Sequence, residues 1–155
     1  MSNVLPQVIL QTFTDATTTV WDTLTTVSLT HTGTDRAHGA TPASISTTID
    51  LSGMLRGWVT LSVSTPLARQ AVYELLDGDV ESDKEVADGL GELLNMIVGQ
   101  VHCTLDQALF DFVWSVPKPP EASETHAPNQ PDACTTLSFQ ASDDLVILSL
   151  NLETP

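Results

Sequence analysis

The chain has 155 residues, of which 20 are Asp or Glu and 5 are Lys or Arg, for a formal net charge of −15. A surface this acidic repels nucleic acid and anionic lipid, because both are bound through basic patches, and the chain has no Lys/Arg cluster. With 41% hydrophobic residues and a mean hydropathy of +0.07, the composition is typical of one globular domain with its own core. No segment approaches the roughly 18 apolar residues of a membrane span, and no secretory signal is evident, so we expect a cytoplasmic protein.

Residues 3 to 27 are predicted to form an amphipathic helix. The apolar residues of this segment recur at helical spacing: Ile9, Phe13, Ala16, Val20, Leu24 and Val27. Its many threonines are weak helix formers, so we expect packing to hold the helix. Residues 28 to 43 are polar and rich in Gly and Thr, which is typical of an irregular edge strand followed by a loop.

Two alternating segments follow, and they predict an antiparallel hairpin. The apolar positions of its strands are Ile45, Ile49 and Leu51, then Val59, Leu61 and Val63, with a turn beginning at Ser52 and Gly53. Thr65 and Pro66 then indicate a helix start, with Thr65 as the N-cap and proline at the first helical position. We expect this second helix to end near Gly78.

The most informative segment is a helix predicted from Ser82 or Asp83, either of which can act as its N-cap, to about Leu105. One face is an apolar stripe made of Val86, Leu90, Leu93, Leu94, Ile97 and Val101. Asp88, Glu92, Asn95 and Gly99 lie on the opposite face at intervals of about one turn. A carboxylate and a carboxamide are thus held one turn apart on a rigid backbone, and Gly99 leaves a bare patch that a partner's loop could approach.

An alternative interpretation is the ordinary polar face of a surface helix. The glycines in this helix would then mark fraying or close helix packing, since each costs about 1 kcal/mol of helix stability relative to alanine.

The rest of the chain is predicted to complete a sheet. Phe110, Phe112, Trp114 and Val116 alternate as in a strand with one strongly apolar face. Residues 117 to 132 form a Pro-rich polar loop, and two further strands cover residues 135 to 140 and 145 to 152. Helices on one side of a largely antiparallel sheet make a two-layer α+β domain, with the N-terminal helix and the polar-faced helix packed on the sheet.

The sequence offers no ligand set for a metal or cofactor. Cys103 and Cys134 form no CxxC pair, and we interpret them as reduced core thiols. The four histidines lack metal-ligand spacing, and neither a Gly-rich phosphate loop nor a Gly-x-Ser-x-Gly turn is present. We therefore predict no metal or cofactor site on the chain itself.

The segment from residue 88 to residue 99, Asp-Gly-Leu-Gly-Glu-Leu-Leu-Asn-Met-Ile-Val-Gly, closely resembles the active helix of the CheX/CheC chemotaxis phosphatase family. The family signature is an acidic residue, three others and then Glu-x-x-Asn, which corresponds here to Asp88, Glu92 and Asn95. The N-terminal helix, the strand and turn over residues 49 to 53 and the Pro-rich segment also follow in family-like order.

CheC-type members of this family carry a motif in each half of the chain. Here the N-terminal helix offers Asp15 and Asp22 but no Glu-x-x-Asn. The resemblance therefore implies a single CheX-like phosphatase domain over residues 1 to 155, with one site and with the loop of residues 117 to 132 inside it.

The resemblance implies hydrolysis of the aspartyl phosphate on a CheY-like response regulator, which supplies its own Mg²⁺ and Lys. Asn95 would orient the attacking water, and Glu92 would pair with the regulator's Lys. Asp88 would contact the partner or, slightly favoured, stabilise the helix start. Gly99 would provide steric clearance for the partner. Met96, at the boundary of the two faces, would contact the partner or, favoured, fill the core.

One departure from the family pattern concerns docking. The family often carries a Lys shortly after the final Gly of the motif, whereas this chain has His102. Two other functions stay open: a non-catalytic module that binds a response regulator or a flagellar or signalling component, and a structural dimerisation domain. The resemblance also suggests a homodimer joined through sheet edges.

Overall fold

The computed structural model describes residues 5–35, 44–78, 82–120 and 134–154. Its elements are α1 (Gln7–Leu24), β1 (Thr30–Asp35), β2 (Ser44–Gly53), β3 (Arg56–Ser64), α2 (Thr65–Leu76), α3 (Asp83–Thr104), α4 (Gln107–Phe110), β4 (Phe112–Trp114), β5 (Thr135–Ala141) and β6 (Asp144–Glu153). The strands form one antiparallel sheet in the order β1-β5-β6-β3-β2-β4. The predicted α+β fold, with helices on a largely antiparallel sheet, is confirmed.

The centre of the sheet is built from two hairpins. The predicted β2–β3 hairpin is present, with Ile49 opposite Val59. Strands β5 and β6 are joined by a two-residue turn in which Ser142 adopts a positive φ of 56°. The sheet ends at β1 and β4, and the predicted homodimer through the sheet edges stays a prediction.

The hydrophobic core lies between the sheet and the three long helices. Side chains of Ile49, Leu51 and Val59 point into it and are buried. The opposite face of β2 and β3 carries hydroxyl side chains that bridge the strands, with 2.6 Å between the hydroxyls of Thr48 and Thr60. This face therefore satisfies its polar groups across the pair of strands.

Helix α1 lies inside its predicted range and is shorter at both ends, and residues 1 to 4 are outside the described part of the chain. The hydroxyls of Thr12, Thr14 and Thr17 each donate to a backbone carbonyl four residues earlier, at 2.6 to 2.8 Å. Such bonds satisfy the hydroxyls without favouring the helix, so the buried face, with Ile9 and Phe13 inaccessible to solvent, supplies the packing that we expected to hold it.

The predicted N-cap of α2 is wrong by one residue. Ser64 is the N-cap, although its side chain makes no capping hydrogen bond, and Pro66 lies in the first turn as expected. The helix ends at Leu76, and the C-cap Asp77 has a left-handed conformation (φ 53°) that closes the last turn just before Gly78.

The predicted strand from Phe110 to Val116 is only partly correct. The Asp106 carboxylate accepts a 2.9 Å hydrogen bond from the Ala108 N–H and caps α4, which takes up Phe110. Only Phe112 to Trp114 form a strand, and Val116 is 77% exposed instead of lying on an apolar face. Of the predicted loops, residues 36–43, 79–81 and 121–132 lie outside the described residues.

The two cysteines are both free thiols in different environments. Cys134 is buried, and burial raises the pKa of its thiol. Cys103 is exposed on α3, so its interpretation as a core thiol is wrong; it follows Val101 by two residues and therefore points away from the apolar stripe. Within the described ranges, no helix is long and apolar enough to cross a membrane.

Candidate functional site

Helix α3 begins and ends close to the predicted residues. The Ser82 hydroxyl accepts a 3.2 Å hydrogen bond from the Glu85 N–H, and Leu105 is the C-cap. The six residues of the predicted apolar stripe are all fully buried: Val86, Leu90, Leu93, Leu94, Ile97 and Val101. Burial of this stripe fixes the rotation of the helix, and its opposite face is directed outward.

The two carboxylates of the outward face differ in their contacts. Asp88 is exposed and its Oδ2 lies 3.3 Å from Nζ of Lys84, one turn earlier. Glu92 is also exposed, and among the described residues no hydrogen bond or ion pair engages its carboxylate. Glu92 thus presents an exposed carboxylate on a rigid helix.

Asn95 lies at the edge of this outward face and is half-buried. Its Oδ1 accepts a 2.9 Å hydrogen bond from the indole Nε1–H of Trp114. The predicted arrangement of a carboxylate and a carboxamide one turn apart is therefore present, with the carboxamide held by a side chain from the sheet.

The register of β4 explains how Trp114 reaches α3. Trp114 lies opposite Leu51 and Phe112 lies opposite Gly53 in the antiparallel pair of β2 and β4. Residues directly opposite each other point to the same face of a sheet, so both aromatic rings share the helix-facing side with the buried Leu51.

The glycines of α3 serve two different purposes. A Cβ added at Gly89 would lie 2.4 Å from Cγ1 of Val72, and one at Gly91 would lie 2.7 Å from Cβ of Pro117. Close packing, the alternative considered from sequence, therefore accounts for these two. At Gly99 the nearest atom would be Cζ2 of Trp114 at 3.9 Å, an ordinary contact, so this patch is open and bounded by the indole.

The core-filling interpretation of Met96 is wrong. Its side chain is 42% exposed, because it follows Glu92 by four residues and lies on the same outward face. An exposed methionine next to Glu92 and Asn95 adds an adaptable apolar contact to an otherwise polar surface.

His102 continues the face by one more turn and contacts the aromatic side chains of β4. Its Nε2 lies 2.9 Å from Oδ1 of Asp111, and its ring centroid is 5.1 Å from that of Phe112 and 5.3 Å from that of Trp114.

Sequence reasoning missed the hydrogen bond from Trp114 to Asn95. The period of two in this segment indicated a strand, and no sequence signal gave its register against β2 or its distance from α3.

Three of the basic side chains in the described part of the chain form ion pairs with the chain's own carboxylates. Arg69 contacts Asp83, Lys84 contacts Asp88, and Nζ of Lys118 lies 2.8 Å from Oδ2 of Asp50.

The two acidic residues of α1 that were considered for a second motif are engaged locally. Asp15 accepts a hydrogen bond from Gln11 at 2.9 Å, and Asp22 accepts one from Ser28 at 3.1 Å.

Comparison with known proteins gives a family and a fold. A family model described as "Chemotaxis phosphatase CheX" matches residues 45–140, well over half of the chain. Among curated proteins, no sequence matches the chain.

Several crystal structures share the fold. A CheC-like superfamily protein from Shewanella sp. PV-4 has a TM-score of 0.79 at 20% identity, covering 96% of this chain and 99% of that one. The chemotaxis protein CheX from Desulfovibrio desulfuricans has a TM-score of 0.75 at 19% identity, covering 94% and 99%. The CheX–CheY–BeF3–Mg²⁺ complex from Borrelia burgdorferi has a TM-score of 0.75 at 17% identity, covering 94% and 97%.

Proposed function

The chain belongs to the CheX family of chemotaxis phosphatases, and from that membership we propose that it hydrolyses the aspartyl phosphate of a CheY-like response regulator. The observation that carries the proposal is that Glu92 and Asn95 lie about one turn apart on the outward face of α3. Glu92 carries a carboxylate without an ion-pair partner among the described residues, and Asn95 carries a carboxamide whose oxygen accepts a hydrogen bond from Trp114.

The reaction asks for little covalent chemistry from the enzyme. An aspartyl phosphate is a mixed anhydride and is already activated, so the principal task is to hold a water in line with the breaking phosphorus–oxygen bond. A carboxamide suits this task because it can both accept and donate hydrogen bonds and carries no charge that would repel the phosphoryl oxygens. We assign this role to Asn95.

Glu92 is proposed to pair with the active-site Lys of the regulator. Three of the chain's own basic side chains are occupied by Asp83, Asp88 and Asp50, so none of these competes for Glu92. A charge-assisted hydrogen bond to an incoming ammonium would fix the register of the two proteins.

The neighbouring residues on α3 are proposed to form the docking surface. Met96 and Gly99 would accept the regulator's loops, Met96 by apolar contact and Gly99 by clearance. Asp88 is tied to Lys84 and is proposed to contribute at the margin of the contact.

The partner is proposed to be a CheY-like regulator that brings Mg²⁺. The Borrelia burgdorferi structure with the same fold contains CheX together with CheY, BeF3 and Mg²⁺, which supports this class of partner. The ion would belong to the regulator, where it neutralises phosphoryl charge, and the proposal needs no metal site on this chain.

The experiment mixes the purified chain with phosphorylated response regulators from the same genome, in the presence of Mg²⁺, and follows the loss of labelled phosphate. We expect one regulator to lose phosphate faster than it does alone. A regulator that binds the chain but loses phosphate at its own rate would identify a non-catalytic binding module and contradict the proposal.

A further inference from the structure

The indole of Trp114 covers one turn of the outward face of α3. Its Nε1–H reaches Oδ1 of Asn95 at 2.9 Å, and its six-membered ring lies in contact distance of the Gly99 position. One side chain therefore contacts both Asn95, through a hydrogen bond, and the Gly99 position, through its ring.

The chemistry of the indole determines which end of the carboxamide it binds. An indole N–H can only donate, so Trp114 must face the oxygen of Asn95, and the NH₂ group must point the other way. A flipped carboxamide would place donor against donor. Within the described residues, the amide nitrogen of Asn95 has no hydrogen-bond partner.

The backbone around Trp114 is fixed to β2. The Ser115 N–H donates to the Asp50 carbonyl at 2.9 Å, and Thr48 and Lys118 exchange two backbone hydrogen bonds at 2.8 and 2.9 Å. The Lys118–Asp50 ion pair joins the same two segments. Together with the pairing of Phe112 with Gly53, these contacts attach the chain to the sheet on both sides of Trp114.

The ring of Trp114 is also held by its aromatic neighbours. Its centroid is 5.3 Å from that of His102 and 5.6 Å from that of Phe112, and the Asp111 carboxylate holds the His102 ring at 2.9 Å. Rotation of the indole away from α3 would break these contacts together with the bond to Asn95.

We propose that Trp114 is a positioning residue that selects one orientation of the Asn95 carboxamide, and this proposal rests on the proposed function. An Asn side chain is free to sample both flips, because its terminal torsion is broad. A water that attacks phosphorus directs a lone pair at it and needs an acceptor for its hydrogens. Oδ1 has two lone pairs, and Trp114 occupies one, so the second is aimed at the water in a fixed direction.

The activity test uses Trp114→Phe, which keeps an aromatic ring and removes the donor. We expect kcat to fall by about 3- to 10-fold, the size of effect that one neutral hydrogen bond produces. The affinity for the beryllofluoride-loaded regulator should stay within about twofold, since Asn95 and Glu92 are still present. Val113→Ala is the matched control, because Val113 is 68% exposed on the same strand and faces away from α3.

Two kinetic outcomes would overturn the proposal. An unchanged kcat would make Trp114 a bystander. A raised kcat would mean that the hydrogen bond holds Asn95 in an unproductive orientation, and that the bond must break before the reaction.

A second measurement needs no regulator. In Asn95→Ala, the NMR signal of the Trp114 indole N–H should move upfield and exchange faster with solvent, while the signals of Trp21 and Trp58 stay in place. An unmoved Trp114 signal would contradict the contact itself. Absence of phosphatase activity in the native chain would instead contradict the proposed function. Failure of the proposed function and failure of the Trp114 proposal are therefore distinguishable.

Discussion

Glu92 and Asn95 lie three residues apart on α3 but have opposite surroundings. The Glu92 carboxylate is exposed and unpaired within the described residues, whereas Oδ1 of Asn95 is held by Trp114 at 2.9 Å. One group is available to a partner's charge, and the oxygen of the other already accepts a hydrogen bond within the chain. The binding role proposed for Glu92 and the catalytic role proposed for Asn95 can therefore be tested separately by mutating these two positions.

Replacement of Glu92 by Ala is expected to weaken binding of the regulator and to slow turnover. Loss of one charge-assisted contact at an exposed site should reduce affinity by about 3- to 10-fold, and the native affinity should fall more steeply with salt than that of the variant. Titration of the beryllofluoride-loaded regulator at two salt concentrations measures both effects.

The matched control for this variant is Glu153→Ala, which removes an exposed carboxylate at the end of β6 and should leave affinity unchanged. Equal affinities for the native chain and Glu92→Ala would contradict the proposed pairing with Lys.

Substitution of Gly99 by Ala should separate docking from stability. The added methyl would meet Trp114 at an ordinary contact distance, and alanine favours a helix by up to about 1 kcal/mol, so the free energy of unfolding should stay the same or rise. If the regulator's loop needs this clearance, its affinity should fall by about fivefold or more. Urea denaturation and the same titration provide the two readouts.

Gly91→Ala is the contrasting variant on the same helix. Its methyl would lie 2.7 Å from Cβ of Pro117, so we expect a loss of about 1 to 3 kcal/mol of stability from overpacking. For Gly99→Ala, an affinity for the regulator equal to that of the native chain would contradict the proposed place of Gly99 in the docking surface.

The Glu74 carboxylate gives the fold a testable pH dependence. Hydrogen bonds from the Thr26 hydroxyl and from the Thr26 N–H, the latter at 2.8 Å, lower the pKa of Glu74. Because the folded pKa is the lower one, this stabilisation is present at neutral pH and is lost as the pH falls through the folded value. Glu74→Gln should therefore be less stable than the native protein at neutral pH.

The difference between the two proteins should shrink toward zero as the pH falls below the folded pKa of Glu74, because the carboxylate is then protonated in both the folded and the unfolded state. Denaturation at a series of pH values measures it, with Glu153→Gln as the control for loss of an exposed carboxylate. Parallel profiles for Glu74→Gln and the native protein would show that Thr26 contributes nothing through this contact.

The elements with strong local signals could be predicted from the sequence. The apolar stripe from Val86 to Val101 follows the helical period without interruption, and Ser82 is a good capping residue at the right distance from Glu85. The β2–β3 hairpin likewise follows from simple alternation. These features depend on neighbours in the chain, and the resemblance to a known motif then identified which outward residues to examine.

The features that depend on long-range packing could not be predicted. The contact of Trp114 with Asn95 requires the register of β4 against β2 and the rotation of α3 above it, and neither is encoded within the two segments. Phe110 and Val116 continued an alternating pattern, but a local cap at Asp106 places Phe110 in α4, so the strand begins only at Phe112. Met96 was misassigned because a residue at the boundary of two faces has no unambiguous side.

The most direct measurement of the central claim is the rate at which a cognate phosphorylated regulator loses phosphate in the presence of Asn95→Ala. Circular dichroism should show an intact fold, since Asn95 is only half-buried. The acceleration should fall by at least about 100-fold, the cost of a misdirected reactant, whereas Gln100→Ala, which removes an exposed carboxamide from the same helix, should retain it. An Asn95→Ala variant that accelerates phosphate loss as well as the native chain would contradict the account.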